Sequence, residues 1–407
     1  MLSIVVVVAA LLRIAFVTGA DVQSPLRVDA GQYAQYATNL VEHGVYSLSS
    51  DPEPLPDSFR SPGYPVFLAF CRALGGENFW YEVARWLQVG LSTLTVLLIY
   101  GLARQLFSFA TAVVAALLVA LSPHLVVAPA YILTECLASF VVTLALWSLL
   151  GSRGTAGKVV GAAVLGLAPL CNEALVFLPV VVAATMWRRD RRMATTVFMV
   201  AMLPFACWSI RNQVTDLALS GSQRAVASIS HGSYPGMVYE SRRYFGFPYR
   251  EDPEQPEFGA SWSNLWSVWS SRVGREPLRY AKWYLIDKPI WLWSWPLVQG
   301  NDVYVYPVGN SPYERQPVMS ATHWFMKWVH LPLMWLACLG AFVGIGRRGS
   351  DRSLAPQVLG WVAVVGTLAY LPVIPDPRYL QPIRPLLFLL AAAAVPMLSL
   401  AFRERDV

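Results

Sequence analysis

The sequence predicts an all-α polytopic membrane protein, a bundle of about ten transmembrane helices, on three observations. Apolar residues make up 56% of the 407-residue chain and charged residues 14%, well under the roughly 25% charged usual for soluble domains. Mean hydropathy is +0.45, which points the same way. Apolar runs long enough to cross ~30 Å of hydrocarbon recur along the chain, with basic residues clustered between them. Disordered, collagen-like and coiled-coil readings are excluded, and residues 1–407 read as a single membrane domain.

Residues 1–20 form the first run. It reads as a retained anchor rather than a removed signal peptide, because no basic region precedes it and Arg13 interrupts it. Further runs lie near residues 83–107, 110–129, 131–150, 158–171, 173–187, 193–210, 324–346, 354–374 and 382–402. The fifth and sixth spans are short and divided only by Asn172-Glu173, so they read either as two crossings or as a pair of half-depth helices. Arg104, Arg153, Lys158, Arg188, Arg189, Arg191, Arg192, Arg347, Arg348, Arg352, Arg403 and Arg405 all fall on one side of such a layout. Lys and Arg are retained in cytoplasmic loops, so that side is assigned to the cytoplasm with both termini. Two longer segments, 21–82 and 211–322, then face outside.

In the first outer segment Asp29, Tyr33, Tyr36 and Leu40 share one helical stripe, which sets a carboxylate beside two phenols. Five prolines between residues 52 and 65 predict an irregular loop that returns the chain to the membrane at Arg60-Ser61-Pro62-Gly63-Tyr64-Pro65. The second outer segment is rich in Trp: 262, 266, 269, 283, 291, 293 and 295. Indole rings favour the headgroup level, so membrane anchoring is the default reading and sugar stacking the sharper one. Residues 275–283 read as an amphipathic surface helix.

Acidic residues in or beside spans are costly to keep charged and are functional candidates. Asp29, Glu135 and Glu173 qualify. The bland readings are a helix-terminal carboxylate capped by Thr134 for Glu135, and an ion pair with a buried cation such as Arg13 for Glu173. Arg378, in Asp376-Pro377-Arg378-Tyr379, sits where the chain turns between the last two spans. A guanidinium there suits either phosphate gripping, with Tyr379 adding a hydrogen bond, or headgroup snorkelling. Arg60 and Lys282 are further cations of this kind. His323 and His330 share a helix face and read as interfacial polar residues. The five cysteines lack CxxC spacing and read as packing residues, and no metal-ligand cluster is legible. The net charge of +6 forms no basic stripe, so no nucleic-acid partner is expected. GxxxxGK[ST], GxGxxG, HExxH and GxSxG motifs are missing, so energy must come from the substrate or a gradient.

In this order the residues resemble the GT-C superfamily of integral membrane glycosyltransferases, in the branch of protein O-mannosyltransferases and the lipid A aminoarabinose transferase. Four short motifs carry the likeness: Asp29-Ala-Gly-Gln-Tyr33 after the first span, Arg60-Ser-Pro-Gly-Tyr64-Pro before the second, Leu133-Thr134-Glu135 at the fourth, and Arg378-Tyr379-Leu-Gln-Pro382 before the last. The resemblance implies a type A-like GT-C bundle with amphipathic helices in its outer loops. It implies an inverting transfer of sugar from a polyprenyl-phosphate donor to a glycan, lipid or protein acceptor, on the outer face of the bacterial cytoplasmic membrane and in contact with membrane lipids. Asp29 is then the general base and Glu135 its helper. Arg60, Tyr64, Lys282, Arg378 and Tyr379 bind substrate or lipid phosphate, Tyr33 and Glu173 support them, and no cofactor or catalytic metal is called for. Two departures stand out: Cys171-Asn172-Glu173 replaces the Arg-Pro pair of many relatives, and a C-terminal soluble domain found in some is not evident. The rival class is a transporter or flippase of a lipid-linked sugar or another amphipathic anion, since buried charges also mark translocation pathways.

Overall fold

The computed structural model describes residues 1–152, 154–215, 219–236, 247–347 and 354–403. Arg153, Arg348, Arg352 and Arg405, used above to assign orientation, lie outside the described residues, as do 216–218 and 237–246 of the second outer segment.

Helix α1 (Leu2–Gly19) leads into a two-residue strand β1 (Asp21–Val22) and then α2 (Asp29–Glu42). The proline-rich loop runs without regular structure to α3 (Gly63–Leu106), which begins about twenty residues before the apolar run that announced it. The early part is a separate helical arm. Gly76, at φ +62°, kinks α3 in a backbone conformation that a side chain resists. Ser108 caps α4 (Phe109–Leu121) by accepting from the Thr111 N–H at 3.2 Å. At Ser122-Pro123 the chain bends by 57° into α5 (Pro123–Val127) and a following single turn. α6 (Glu135–Gly151), α7 (Thr155–Leu165), α8 (Ala168–Cys171), α9 (Phe177–Trp187) and α10 (Arg191–Val214) complete the first half.

The segment 211–322 holds, among its described residues, α11 (Gly221–Gly232), α12 (Gln255–Phe258), α13 (Trp262–Arg275), α14 (Pro277–Lys282), a π-turn, α15 (Lys288–Leu292), strand β2 (Val308–Gly309) and α16 (Pro312–Arg315). β2 pairs antiparallel with β1, Asp21 opposite Gly309, which staples this segment to the end of α1. The chain ends with α17 (Pro317–Gly346), α18 (Leu354–Ala369), a turn at 377–380 and α19 (Arg384–Arg403).

Among the described residues α1, α3, α10 and α17 are long and apolar enough to cross a membrane, and the bent α4–α5 pair makes a fifth crossing if it is one broken span. Five shorter apolar helices, of 10–17 residues, accompany them: α6, α7 with α8, α9 with the turn before it, α18 and α19. The chain is an integral membrane protein with almost no strand. Helix α19 packs on α17 and α4, while α3 packs on α6, α4 and α2. Small residues set the spacing: a Cβ on Gly340 would fall 2.4 Å from the Leu390 carbonyl oxygen, so α17 and α19 touch backbone to backbone there.

Four sequence expectations need correction. Cys71, Cys136 and Cys171 are buried packing residues, but Cys207 and Cys338 face outward. The 275–283 helix is shorter than expected, since the π-turn replaces its end and Trp283 is buried with its N–H on the Gly232 carbonyl at 3.1 Å. Several other indoles also donate inside the protein: Trp269 to Tyr284, Trp293 to Thr367 and Trp295 to Asp302. Only Trp262 and Trp266 of the seven are strongly exposed, so the aromatic density is mainly the core of the outer segment, not a headgroup belt. His323 and His330 both meet the Trp295 ring, with His323 on Asp302 at 2.6 Å, so they are internal partners of that core.

Candidate active site

Asp29 opens α2, where the stretch Asp29–Glu42 carries an apolar face for α3 and a carboxylate in its first turn. The preceding residue, Val28, has φ +48°, a strained conformation for a β-branched side chain. Asp29 Oδ1 receives Arg60 Nη2 at 2.6 Å, and Oδ2 receives Arg378 Nη2 at 3.2 Å. Residues 31 and 349 positions apart thus share one carboxylate. Behind them, Glu135 Oε1 lies 4.0 Å from Arg378 Nε, so Arg378 stands between two acids.

Second partners hold each guanidinium in place. Gln32 Oε1 accepts from Arg60 Nε at 2.8 Å, and the Arg60 guanidinium lies over the Tyr33 ring. Gln299 Oε1 accepts from Arg378 at 3.4 Å and from the Tyr379 hydroxyl at 3.2 Å. Asp376 fixes both: its carboxylate accepts from the Arg378 N–H at 3.0 Å and from the Gln299 N–H at 2.7 Å. Burial pushes the Asp29 carboxyl up, but Arg60 and Arg378 outweigh it and hold the group below its ordinary value. Burial likewise opposes the charge of Arg60, and Tyr33 and Asp29 more than offset that. Tyr33 is raised, chiefly by burial, so its phenol stays protonated beside Arg60.

The other candidates fall elsewhere. Tyr64 is fully buried and bonds Gln88 at 3.1 Å, with its ring edge-on to Tyr33, so it supports the floor of the site and does not face a ligand. Tyr36, the second phenol of the stripe, bonds Asp57 and not Asp29. Glu173 pairs with Arg224 of α11, so the alternative pairing with Arg13 is overturned. Thr134 occupies the N-cap position of α6 without a side-chain cap bond, while Glu135 stands in the first turn as the helix-terminal carboxylate expected. Lys282 is 64% exposed and pairs with Asp287 at 2.6 Å, outside the group. The buried lysine is Lys288, whose ammonium bonds the Leu371 and Val373 carbonyls and anchors the turn that carries Arg378. Arg224, Gln299, Asp376 and Lys288 escaped the sequence reading. Asp376-Pro377 was a legible cap signal, whereas a lone glutamine in an aromatic stretch gives none.

The fold is that of a polytopic membrane protein of the GT-C type, the fold of the membrane glycosyltransferases it is similar to. More narrowly, residues 59–210 match the family described as dolichyl-phosphate-mannose-protein mannosyltransferase, a stretch that includes Arg60 and Glu135. ArnT from Cupriavidus metallidurans, solved bound to undecaprenyl phosphate, is 16% identical with a TM-score of 0.53, over 97% of this chain and 60% of that one. The Archaeoglobus fulgidus oligosaccharyltransferase, solved with a tethered acceptor peptide, is 14% identical with a TM-score of 0.52, over 97% of this chain and 49% of that one. The oligosaccharyltransferase AglB from Archaeoglobus fulgidus, solved with an inhibitory peptide and a dolichol-phosphate, is 13% identical with a TM-score of 0.52, over 97% of this chain and 50% of that one. The chain thus spans half to three-fifths of the length of these solved proteins. No curated protein matches it.

Proposed function

We propose that the protein is an inverting glycosyltransferase that takes a sugar from a polyprenyl-phosphate donor and passes it to a glycan, lipid or protein hydroxyl or phosphate. The reaction is placed on the outer face of the bacterial cytoplasmic membrane, with both termini in the cytoplasm. The observation that carries this reading is the shared carboxylate: Asp29 is gripped by Arg60 from the first outer segment and by Arg378 from the last outer turn.

In the transfer, the acceptor oxygen forms a bond to the anomeric carbon as the bond from that carbon to the phosphate oxygen breaks. The acceptor proton goes to Asp29 and the electron pair leaves with the lipid phosphate. Arg378 offers paired donors to that phosphate, and Arg60 and Arg224 add charge; Arg224 thereby takes the part first given to Lys282. Asp29 is a weak base while both guanidiniums hold it. A donor phosphate that draws Arg378 away removes one of the charges depressing it, so the base strengthens as the donor binds. Glu135 then orients Arg378 from the other side.

The test is release of labelled sugar from a panel of polyprenyl-phosphate sugars by the purified protein, wild type against Asp29→Asn. Turnover abolished in a folded variant supports the reading. Equal turnover removes Asp29 as base, and no turnover with any donor turns attention to flux assays for a lipid-linked sugar.

A further inference from the structure

Arg13 lies mid-helix in α1 and is fully buried. Its Nε donates to Ser92 Oγ at 2.7 Å, Nη1 to the Ala9 and Ala120 carbonyls at 2.9 and 3.2 Å, and Nη2 to the Val119 carbonyl at 3.3 Å. Those bonds use four of its five N–H groups. They satisfy its donors and leave its charge unmatched, because among the described residues no carboxylate lies within ion-pair distance of it. A buried cation with only neutral partners carries a large desolvation penalty.

Glu135 lines the same cavity as Arg13. A space of about 10 Å³, room for about one water, is lined by Arg13, Ser92, Thr95, Cys136, Ser139 and Glu135. Buried polar atoms without a hydrogen-bond partner belong to its wall: Glu135 Oε2 and Ser139 Oγ. The other oxygen of Glu135 is the one that faces Arg378. Orphaned acceptors and a donor around a water-sized space are the conditions under which a buried water is retained.

We propose that Arg13 is a positioning residue: through one water held between α1 and α6 it compensates Glu135, which keeps the second Glu135 oxygen turned to Arg378. The charges then alternate from the membrane interior outward, Arg13, Glu135, Arg378, Asp29, Arg60. The link explains why an arginine is kept inside the first span, and it rests on the reading of the Asp29–Arg378 pair as the transfer site.

A double-mutant cycle tests it on the purified full chain, with thermal unfolding as the readout. Arg13→Gln and Glu135→Gln should each lower Tm, and the double variant should lose clearly less than the two losses added, because no lone buried charge remains. Arg13→Lys should preserve the coupling to Glu135, and Ser139→Val, which fills the water's space, should weaken it. Additive losses would overturn the proposal; if Arg13→Gln does not fold, the Ser139→Val cycle with Glu135→Gln decides. In the sugar-release assay, Arg13→Gln should lower kcat with little change in KM, and Arg13→Lys should recover part of it. A coupled cycle with unchanged kcat would overturn the positioning role. A coupled cycle in a protein that turns over no donor would overturn the transferase reading and that role while leaving the charge link standing.

Discussion

The two long segments 21–82 and 211–322 use polar residues in opposite ways. In the first, hydrogen bonds lock the loop to itself and then to the site. Asn39 Nδ2 donates to the Ser47 and Ser49 carbonyls at 2.8 and 2.7 Å, and Asp57 accepts from the Leu48 N–H at 2.6 Å and from Tyr36. The Tyr46 hydroxyl then holds the Arg60 carbonyl at 2.8 Å. A proline-rich stretch with no regular structure thus becomes a rigid mount for Arg60. In the second segment the interior is aromatic, and Arg272 pairs within the segment itself with Asp252 and Glu254 at 2.6 and 2.7 Å. Arg224, Lys288, Trp293, Gln299 and Tyr306 reach from it to the elements around the site. On the proposed reading the first segment mounts the reacting groups, and the second braces the turn that carries Arg378.

That contrast predicts where function breaks. Asp29→Asn should cost the most, about 10²–10⁴-fold in turnover with the fold intact, measured as sugar release from folded protein. Arg378→Gln follows at about 10²–10³-fold, because it removes charge opposite the leaving phosphate. Asp57→Asn touches no substrate, yet it should lower stability by about 1–3 kcal/mol by weakening the Tyr36 and Leu48 bonds, and turnover should fall with it as Arg60 loosens. Asp252→Asn is the matched change in the second segment. It should destabilise without a comparable fall in turnover per folded molecule, and equal falls in both variants would erase the distinction drawn between the segments.

How much of this was legible follows from what periodicity can encode. The apolar helices, the α2 stripe and the cluster of Asp29, Arg60, Glu135 and Arg378 were readable because each depends on local sequence: an apolar run, a helical repeat, an acid or base at a helix end. The helical arm of α3 before Gly76 was missed, since its residues are less apolar than a span and the chain turns on a glycine. Lys282 was read as the cation of this aromatic stretch, whereas the lysine that turns inward is Lys288, on the far side of the π-turn. Gln299 and Arg224 meet the site through contacts distant in sequence, which no local pattern records. Glu173 looked like a membrane carboxylate in want of a cation, and the cation came from α11, not from α1.

Acid titration sharpens the comparison further. Asp29 has its folded value depressed, so the stability it contributes is present above the ordinary aspartate range, about 3.9, and is lost as pH falls through the lower folded value. Tm of the wild type should therefore fall on acidification over that range, and Asp29→Asn should flatten this part of the curve. A variant with the same acid slope as wild type would mean that the Arg60 and Arg378 pairs do not depress Asp29.

The smallest effect belongs to Lys282. It sits on the same aromatic stretch as Lys288, but its ammonium is mostly in solvent and its partner Asp287 is a neighbour on the same turn. A surface pair of that kind contributes about 0–1 kcal/mol. Lys282→Ala should leave Tm nearly unchanged and turnover within about twofold, the surface-substitution range. Lys288→Met, by contrast, frees the Leu371 and Val373 carbonyls and should loosen the turn that presents Arg378, so turnover falls although no substrate contact is removed. If Lys282→Ala proves the more damaging of the two, the second segment contributes a charge to the donor directly, and its role is more than bracing.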